Sequence, residues 1–193
     1  MPKKRNSTKS RIIKAAWNLF YKHGYEQTTV DEIISASKTS KGTFYHYFKG
    51  KEALLNTLSY LFDEKYEELA GIVDPDLSAY DKLLFFNHEL FHMIETSVDV
   101  GLLASLYSSQ LITKRSLLEN DRYYFVWLTE TISTALKNGE FNSTSTADEL
   151  LKIYAMYERA VLYDWALCKG KYSLTAYSDK LLPHVLNQFV EGF

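Results

Sequence analysis

Between residues 28 and 51 the chain reads TTVDEIISASKTSKGTFYHYFKGK, a stretch that leaves little freedom in how the N-terminal quarter can fold. Thr29 has Glu32 three residues on, the pairing in which each side chain accepts a hydrogen bond from the other residue's backbone amide and so starts a helix. Val30, Ile33 and Ile34 mark the buried face of that helix. The polar run 35–39 ends it, and Ser40 caps a second short helix over 41–47, with Phe44 and Phe48 on its inner side. Ahead of both, a helix over 9–23 carries Ile12, Ala15, Ala16, Leu19 and Phe20 at helical spacing and stops at Gly24. These residues, with Trp17, form the small core on which the two short helices are expected to pack steeply.

The run from Ser40 to Leu55, SKGTFYHYFKGKEALL, closely resembles the recognition helix and following helix start of the tetracycline-repressor (TetR) family of bacterial transcription regulators. The resemblance is ungapped from Ser10 to Leu55 and continues beyond only as a general layout. It implies an all-α fold: a helix-turn-helix DNA-binding domain over 6–66, with the motif itself at about 29–48, and an effector-binding and dimerisation domain over 67–193. It further implies a regulator, most often a repressor, that binds palindromic double-stranded DNA as a homodimer and is released by a small-molecule effector. One departure concerns the turn, where the family usually has Gly followed by a buried Val and this chain has Lys38 and Thr39. A non-glycine residue in a left-handed turn costs roughly 1 kcal/mol.

Carried onto matching positions, the resemblance assigns DNA contacts to Thr29, Ser40, Lys41, Gly42, Thr43, Tyr45, His46 and Lys51. Each suits the task. Thr29 stands at a helix start, where amides and hydroxyl can meet phosphate. Gly42 permits close approach, Thr43 offers a hydroxyl and a methyl to base edges, Tyr45 and His46 reach outward, and Lys51 suits a phosphate.

Charge supports a division of labour. Residues 1–51 carry 11 Lys/Arg against 3 Asp/Glu, a net of +8, whereas residues 52–193 carry 11 against 21, a net of -10. A basic block that coincides with a helix-turn-helix pattern points to an anionic partner at that end. The single cysteine, Cys168, has no internal partner for a disulfide, and with no signal-peptide pattern at the N-terminus the expectation is a reducing cytoplasm. No apolar run approaches the ~18 residues of a membrane span.

The remainder reads as helices over about 51–70, 78–93, 100–113, 117–138, 146–168 and 174–190, making about nine in all. Aromatic residues crowd this body, 21 of the 29 lying beyond residue 51. The expected effector pocket draws on Phe62, Tyr66, Phe86, Glu89, Tyr107, Tyr123, Trp127 and Tyr157. Buried tyrosines need hydrogen-bond partners and so suit a partly polar cavity, and a buried Glu89, Glu95 or Glu158 would favour a cationic guest. The last two long helices are where the resemblance places dimerisation, with Tyr157, Val161, Leu162, Leu182, Val185, Leu186 and Phe189 as the expected interface.

One motif points elsewhere. His88-Glu89-Leu90-Phe91-His92 matches H-E-x-x-H on a helix, the zinc-hydrolase arrangement with Glu89 as general base. Glu95 and Val98 stand where a longer form of that motif needs Gly and a third His, and the chain shows no strand pattern. The expectation is therefore no enzyme, no metal and no cofactor, with a metal-dependent hydrolase and a non-DNA helical interaction protein as the alternatives.

Overall fold

The computed structural model describes residues 8–55, 57–112, 118, 122–142 and 144–191. Among them are ten helices and no strands: α1 Thr8–His23, α2 Val30–Ala36, α3 Lys41–Tyr47, α4 Glu52–Leu55, α5 Leu58–Ile72, α6 Ala79–Ser97, α7 Val100–Ile112, α8 Tyr123–Lys137, α9 Ala147–Leu167 and α10 Leu174–Glu191. The all-α expectation holds. The start of the expected helix over 117–138 falls partly outside the described residues, which resume at Arg122.

The tenth helix arises where one long helix over 51–70 is expected. Thr57 turns its hydroxyl back onto the Leu54 carbonyl at 2.6 Å while its own amide donates to the same oxygen at 2.9 Å. A threonine that satisfies the backbone locally offers the chain an alternative to the helical ladder, and α4 closes there after four residues.

The chain divides into two compact units, residues 1–59 with 97–117 and residues 60–96 with 118–193. This partition assigns residues 97–117, α7 included, to the unit that holds the N-terminal helices. In the first unit, Ile12, Ala16, Trp17 and Phe20 of α1 are buried with Ile33 of α2 and Phe44 of α3. Full burial of such side chains stabilises by about 1.5–3 kcal/mol each. The Trp17 and Phe20 rings meet edge to face at 5.4 Å, and Trp17 Nε1 donates to Thr57 Oγ1 at 2.9 Å. Leu102, Leu103 and Leu106 are buried on α7, which packs against α4.

In the second unit α8 packs on α9 and α9 on α10. The start of α10 is fixed from α6: Glu95 Oε2 accepts from the Thr175 amide at 3.0 Å and from the hydroxyls of Thr175 and Ser173 at 2.6 and 3.2 Å. Partial burial alone would raise the Glu95 pKa, but these bonds outweigh it and hold the carboxyl below its ordinary value. A buried ion pair ties α5 to the start of α8, with Arg122 Nε and Nη2 on Asp63 Oδ2 and Oδ1 at 3.1 and 3.0 Å.

Candidate functional site

The reading head is built as its residues require. Thr29 and Glu32 form the reciprocal cap that opens α2, with the Glu32 amide donating to Thr29 Oγ1 at 3.3 Å and the Thr29 amide to Glu32 Oε2 at 2.7 Å. The Thr29 hydroxyl also donates to Glu32 Oε2, at 2.8 Å. Both Thr29 donors are thus engaged by a carboxylate, and an incoming phosphate has to displace it. Lys38 takes φ 52°, so the left-handed turn is kept with lysine in it, and the Thr39 amide closes it onto the Ile34 carbonyl at 3.2 Å. Ser37 and Thr39 join hydroxyls across the turn at 2.9 Å.

Ser40 caps α3, its Oγ accepting from the Thr43 amide at 3.1 Å and lying 2.8 Å from Thr43 Oγ1. Phe44 and Phe48 are buried, whereas Ser40, Lys41, Gly42, Tyr45 and His46 are exposed and Thr43 is half-buried. A Cβ added at Gly42 would meet nothing nearer than Ser40 Oγ at 3.9 Å. The fold itself therefore does not demand glycine there. Lys51 differs from the other expected contacts, since its Nζ donates to the carbonyls of Tyr25 and Glu26 at 2.7 and 3.3 Å and sits 4.4 Å from the Tyr25 ring centre. It ties the start of the α1–α2 loop to the start of α4.

In the body unit, three expected pocket residues come together. Tyr66 packs 5.1 Å from Phe86 and 5.6 Å from Trp127, and Phe86 stacks on Trp127 at 3.7 Å between ring centres. Tyr124 joins them 5.0 Å from Tyr66. Tyr124 connects this group to Glu158, which is 3% exposed. Glu158 Oε2 accepts from Tyr124 Oη at 2.7 Å and Oε1 from Asn87 Nδ2 at 3.0 Å. Behind Asn87 the relay continues: Ser178 Oγ donates to Asn87 Oδ1 at 2.5 Å, and Tyr157 Oη lies 3.0 Å from Ser178 Oγ. Burial raises the Glu158 pKa above the ordinary carboxylate value, with the bonds from Asn87 and Tyr124 and the pull of Arg159 acting the other way. Burial likewise pushes the Tyr66, Tyr124 and Tyr154 hydroxyls well above theirs.

Of the other expected pocket residues, Tyr157 is linked to this group through Ser178 and Asn87. Phe62 is buried on α5, Tyr123 is half-buried, and Tyr107 belongs to the first compact unit. Glu89 pairs with Lys65 at 3.6 Å. Asn87, Tyr124, Tyr154 and Ser178 were absent from the expected pocket. The four-residue step from Tyr154 to Glu158 on one helix face was the available signal.

The expected dimer residues Val161, Leu162, Leu182, Leu186 and Phe189 are buried inside the single chain, because the inner faces of α9 and α10 are taken up by the chain's own core. Tyr157 and Val185 are half-buried. Outward on α9 stand Met156, Ala160, Tyr163 and Leu167, all exposed and spaced four, three and four residues apart. Within the H-E-x-x-H run the two histidine rings are parallel, 6.4 Å apart and exposed, and His88 Nδ1 lies 3.1 Å from both Asp179 oxygens. Among the described residues no three His, Cys, Asp or Glu side chains are grouped to hold a metal, and no helix is long and apolar enough to cross a membrane.

Comparison with known proteins places residues 12–58 under the family description "Bacterial regulatory proteins, tetR family". Relatives include HTH-type transcriptional regulators of Bacillus subtilis (strain 168). YuxN is 42% identical over 82 residues, which span 40% of this chain and 28% of YuxN. YvdT is 26% identical over 160 residues, 79% of this chain and 81% of YvdT. Among solved structures, Thermus thermophilus FadR, described as a TetR-family transcriptional repressor in complex with lauroyl-CoA, superposes with a TM-score of 0.69 over 92% of this chain and 93% of its own. At 22% identity that likeness is one of fold.

Proposed function

The chain belongs to the tetR family of bacterial regulatory proteins, and from that premise we propose that it is a DNA-binding transcriptional repressor acting in the cytoplasm on a palindromic operator, as a homodimer released by a small-molecule effector. The observation that carries the reading is the outer side of α3, where Lys41, Gly42, Tyr45 and His46 are exposed on a capped helix whose Phe44 is locked in the core. A single helix of this length reads few bases, so selectivity needs a second copy, with the two recognition helices roughly 34 to 36 Å apart in successive major grooves. The exposed stripe Met156, Ala160, Tyr163 and Leu167 supplies an apolar surface for that second copy.

The effector is bound in the body unit around Tyr66, Phe86 and Trp127, and α5, which begins at Leu58, is the covalent route from body to head. Coupling of this kind is reciprocal, so operator DNA weakens effector binding by the factor by which effector weakens DNA binding.

The test is selection from a randomised duplex pool at two salt concentrations, with sequencing of the retained DNA. Enrichment of one inverted repeat supports a dimeric sequence-specific regulator. Binding that only fades as salt rises, with no enrichment, reduces the head to an electrostatic patch and overturns the proposal.

A further inference from the structure

Two carboxylates are buried in the body unit, and they are treated differently. Asp63 has a guanidinium on both oxygens, supplied by Arg122. On Glu158 no guanidinium bond is seen among the described residues: its oxygens accept from Asn87 Nδ2 and Tyr124 Oη, both neutral, while Arg159 exerts a Coulombic pull. Neutral donors aimed at both oxygens favour the ionised form, yet a buried carboxylate with no counter-ion bonded to it is costly. The site is thus arranged for a negative charge without a bonded positive one.

The walls answer the same description. Tyr124, which donates to the carboxylate, packs 5.0 Å from Tyr66, and Tyr66 in turn lies 5.1 and 5.6 Å from the stacked Phe86 and Trp127; ring faces attract cations, most strongly where water is excluded. Tyr66 Oη adds an independent sign. It is the one buried side-chain nitrogen or oxygen without a hydrogen-bond partner among the described residues. Tyr66 is itself 0% exposed, and an orphaned hydroxyl at that depth is unfavourable until something meets it. Trp127, stacked on Phe86, is the half-exposed member of the group and the wall a guest displaces on entry.

We infer that this cage takes an organic cation, a quaternary or protonated amine joined to a flat or compact apolar body, with Glu158 as its counter-ion and the Phe86, Trp127, Tyr66 and Tyr124 rings as its walls. The inference rests on the effector-binding reading of the body and specifies the chemical class of that effector. An acyl chain, as in the lauroyl-CoA complex of the FadR neighbour, would here lie against a carboxylate and tyrosine hydroxyls that it cannot satisfy.

The experiment uses the full chain without DNA and two probes of nearly equal shape, phenyltrimethylammonium and its neutral isostere tert-butylbenzene, each titrated calorimetrically. The cation should bind at least about tenfold more tightly, and Glu158→Gln, which keeps the shape and removes the charge, should bring the pair to near equality. Independently of any fold change in that variant, the Trp127 indole N–H resonance of the wild-type chain, assigned from its absence in Trp127→Phe, should move on adding the cation. Those of Trp17 and Trp165 should stay in place.

Equal binding of the two probes, no binding of the cation, an unmoved Trp127 resonance, or a charge preference that survives in a folded Glu158→Gln chain overturns the inference. So does lauroyl-CoA moving the Trp127 resonance where the cation does not. A chain that selects an inverted repeat but ignores the cation keeps the regulator reading and loses this one. A chain that holds the cation at Trp127 but selects no DNA does the reverse.

Discussion

Trp17 Nε1 donates a hydrogen bond to Thr57 Oγ1 at 2.9 Å across forty residues of sequence, and the same Thr57 oxygen donates to the Leu54 carbonyl at 2.6 Å. One hydroxyl thus anchors α1 to the break between α4 and α5 and helps to make that break. Thr57→Val keeps the shape and removes both bonds, leaving the Trp17 indole N–H buried and unpaired. The expected loss is about 1 to 3 kcal/mol in urea unfolding, with Thr57→Ser close to wild type. Equal stability of the Val variant would show that the bond contributes nothing net.

Lys38 holds φ 52° in the turn between α2 and α3. Glycine enters that region freely and a β-branched residue scarcely at all, so thermal melts should rank Lys38→Gly at or above wild type by up to about 1 kcal/mol and Lys38→Val clearly below. A Val variant as stable as wild type would mean that the turn has another accessible shape.

Glu158 gives stability a pH dependence of definite sign. Burial raises its folded pKa above the ordinary value of 4.5, so in the window above 4.5 the folded chain binds more protons than the unfolded one. Its contribution is fully present below that window and is lost as pH rises through the folded pKa. The stability of Glu158→Gln relative to wild type should therefore grow with pH across the window and then level off. Carboxylates held below their ordinary value, such as Glu95, slope the other way and cancel in the comparison.

Met156, Tyr163 and Leu167 form an exposed apolar stripe, 53%, 47% and 63% accessible, while Leu182, Leu186 and Phe189 are at most 1% accessible within one chain. Tyr163→Glu with Leu167→Glu should leave the helical spectrum intact and shift sedimentation from dimer to monomer. Leu186→Glu should instead unfold the body. Dimers that survive the double substitution would place the interface elsewhere.

The fold was legible wherever local chemistry decides it. The Thr29–Glu32 capping box and the Ser40 cap stand where the residues require them, since such contacts span only three residues. The break at Thr57 was not legible, because it depends on an indole forty positions away. The same holds in the body. Tyr66, Phe86 and Trp127 could be listed as aromatic, but that Tyr124 would connect them to Glu158 and that Glu89 would turn to Lys65 is decided by the packing of α5, α6, α8 and α9. Apolar periodicity on α9 and α10 identified apolar faces, and within the single chain Val161, Leu162, Leu182, Leu186 and Phe189 of those faces are already buried. Hydrophobic spacing shows that a face is covered and not by what.

Whether α3 reads sequence is tested most directly by selecting a randomised duplex pool side by side with the wild-type chain, with Lys41→Ala and with the double variant Thr43→Ala, Tyr45→Ala. The expected result is one inverted repeat for wild type, the same repeat bound more weakly for Lys41→Ala, and a motif that loses definition at positions within each half-site for the double variant. A wild-type pool with no enriched repeat, or a double variant that selects an unchanged motif with unchanged definition, would contradict the assignment of base reading to α3.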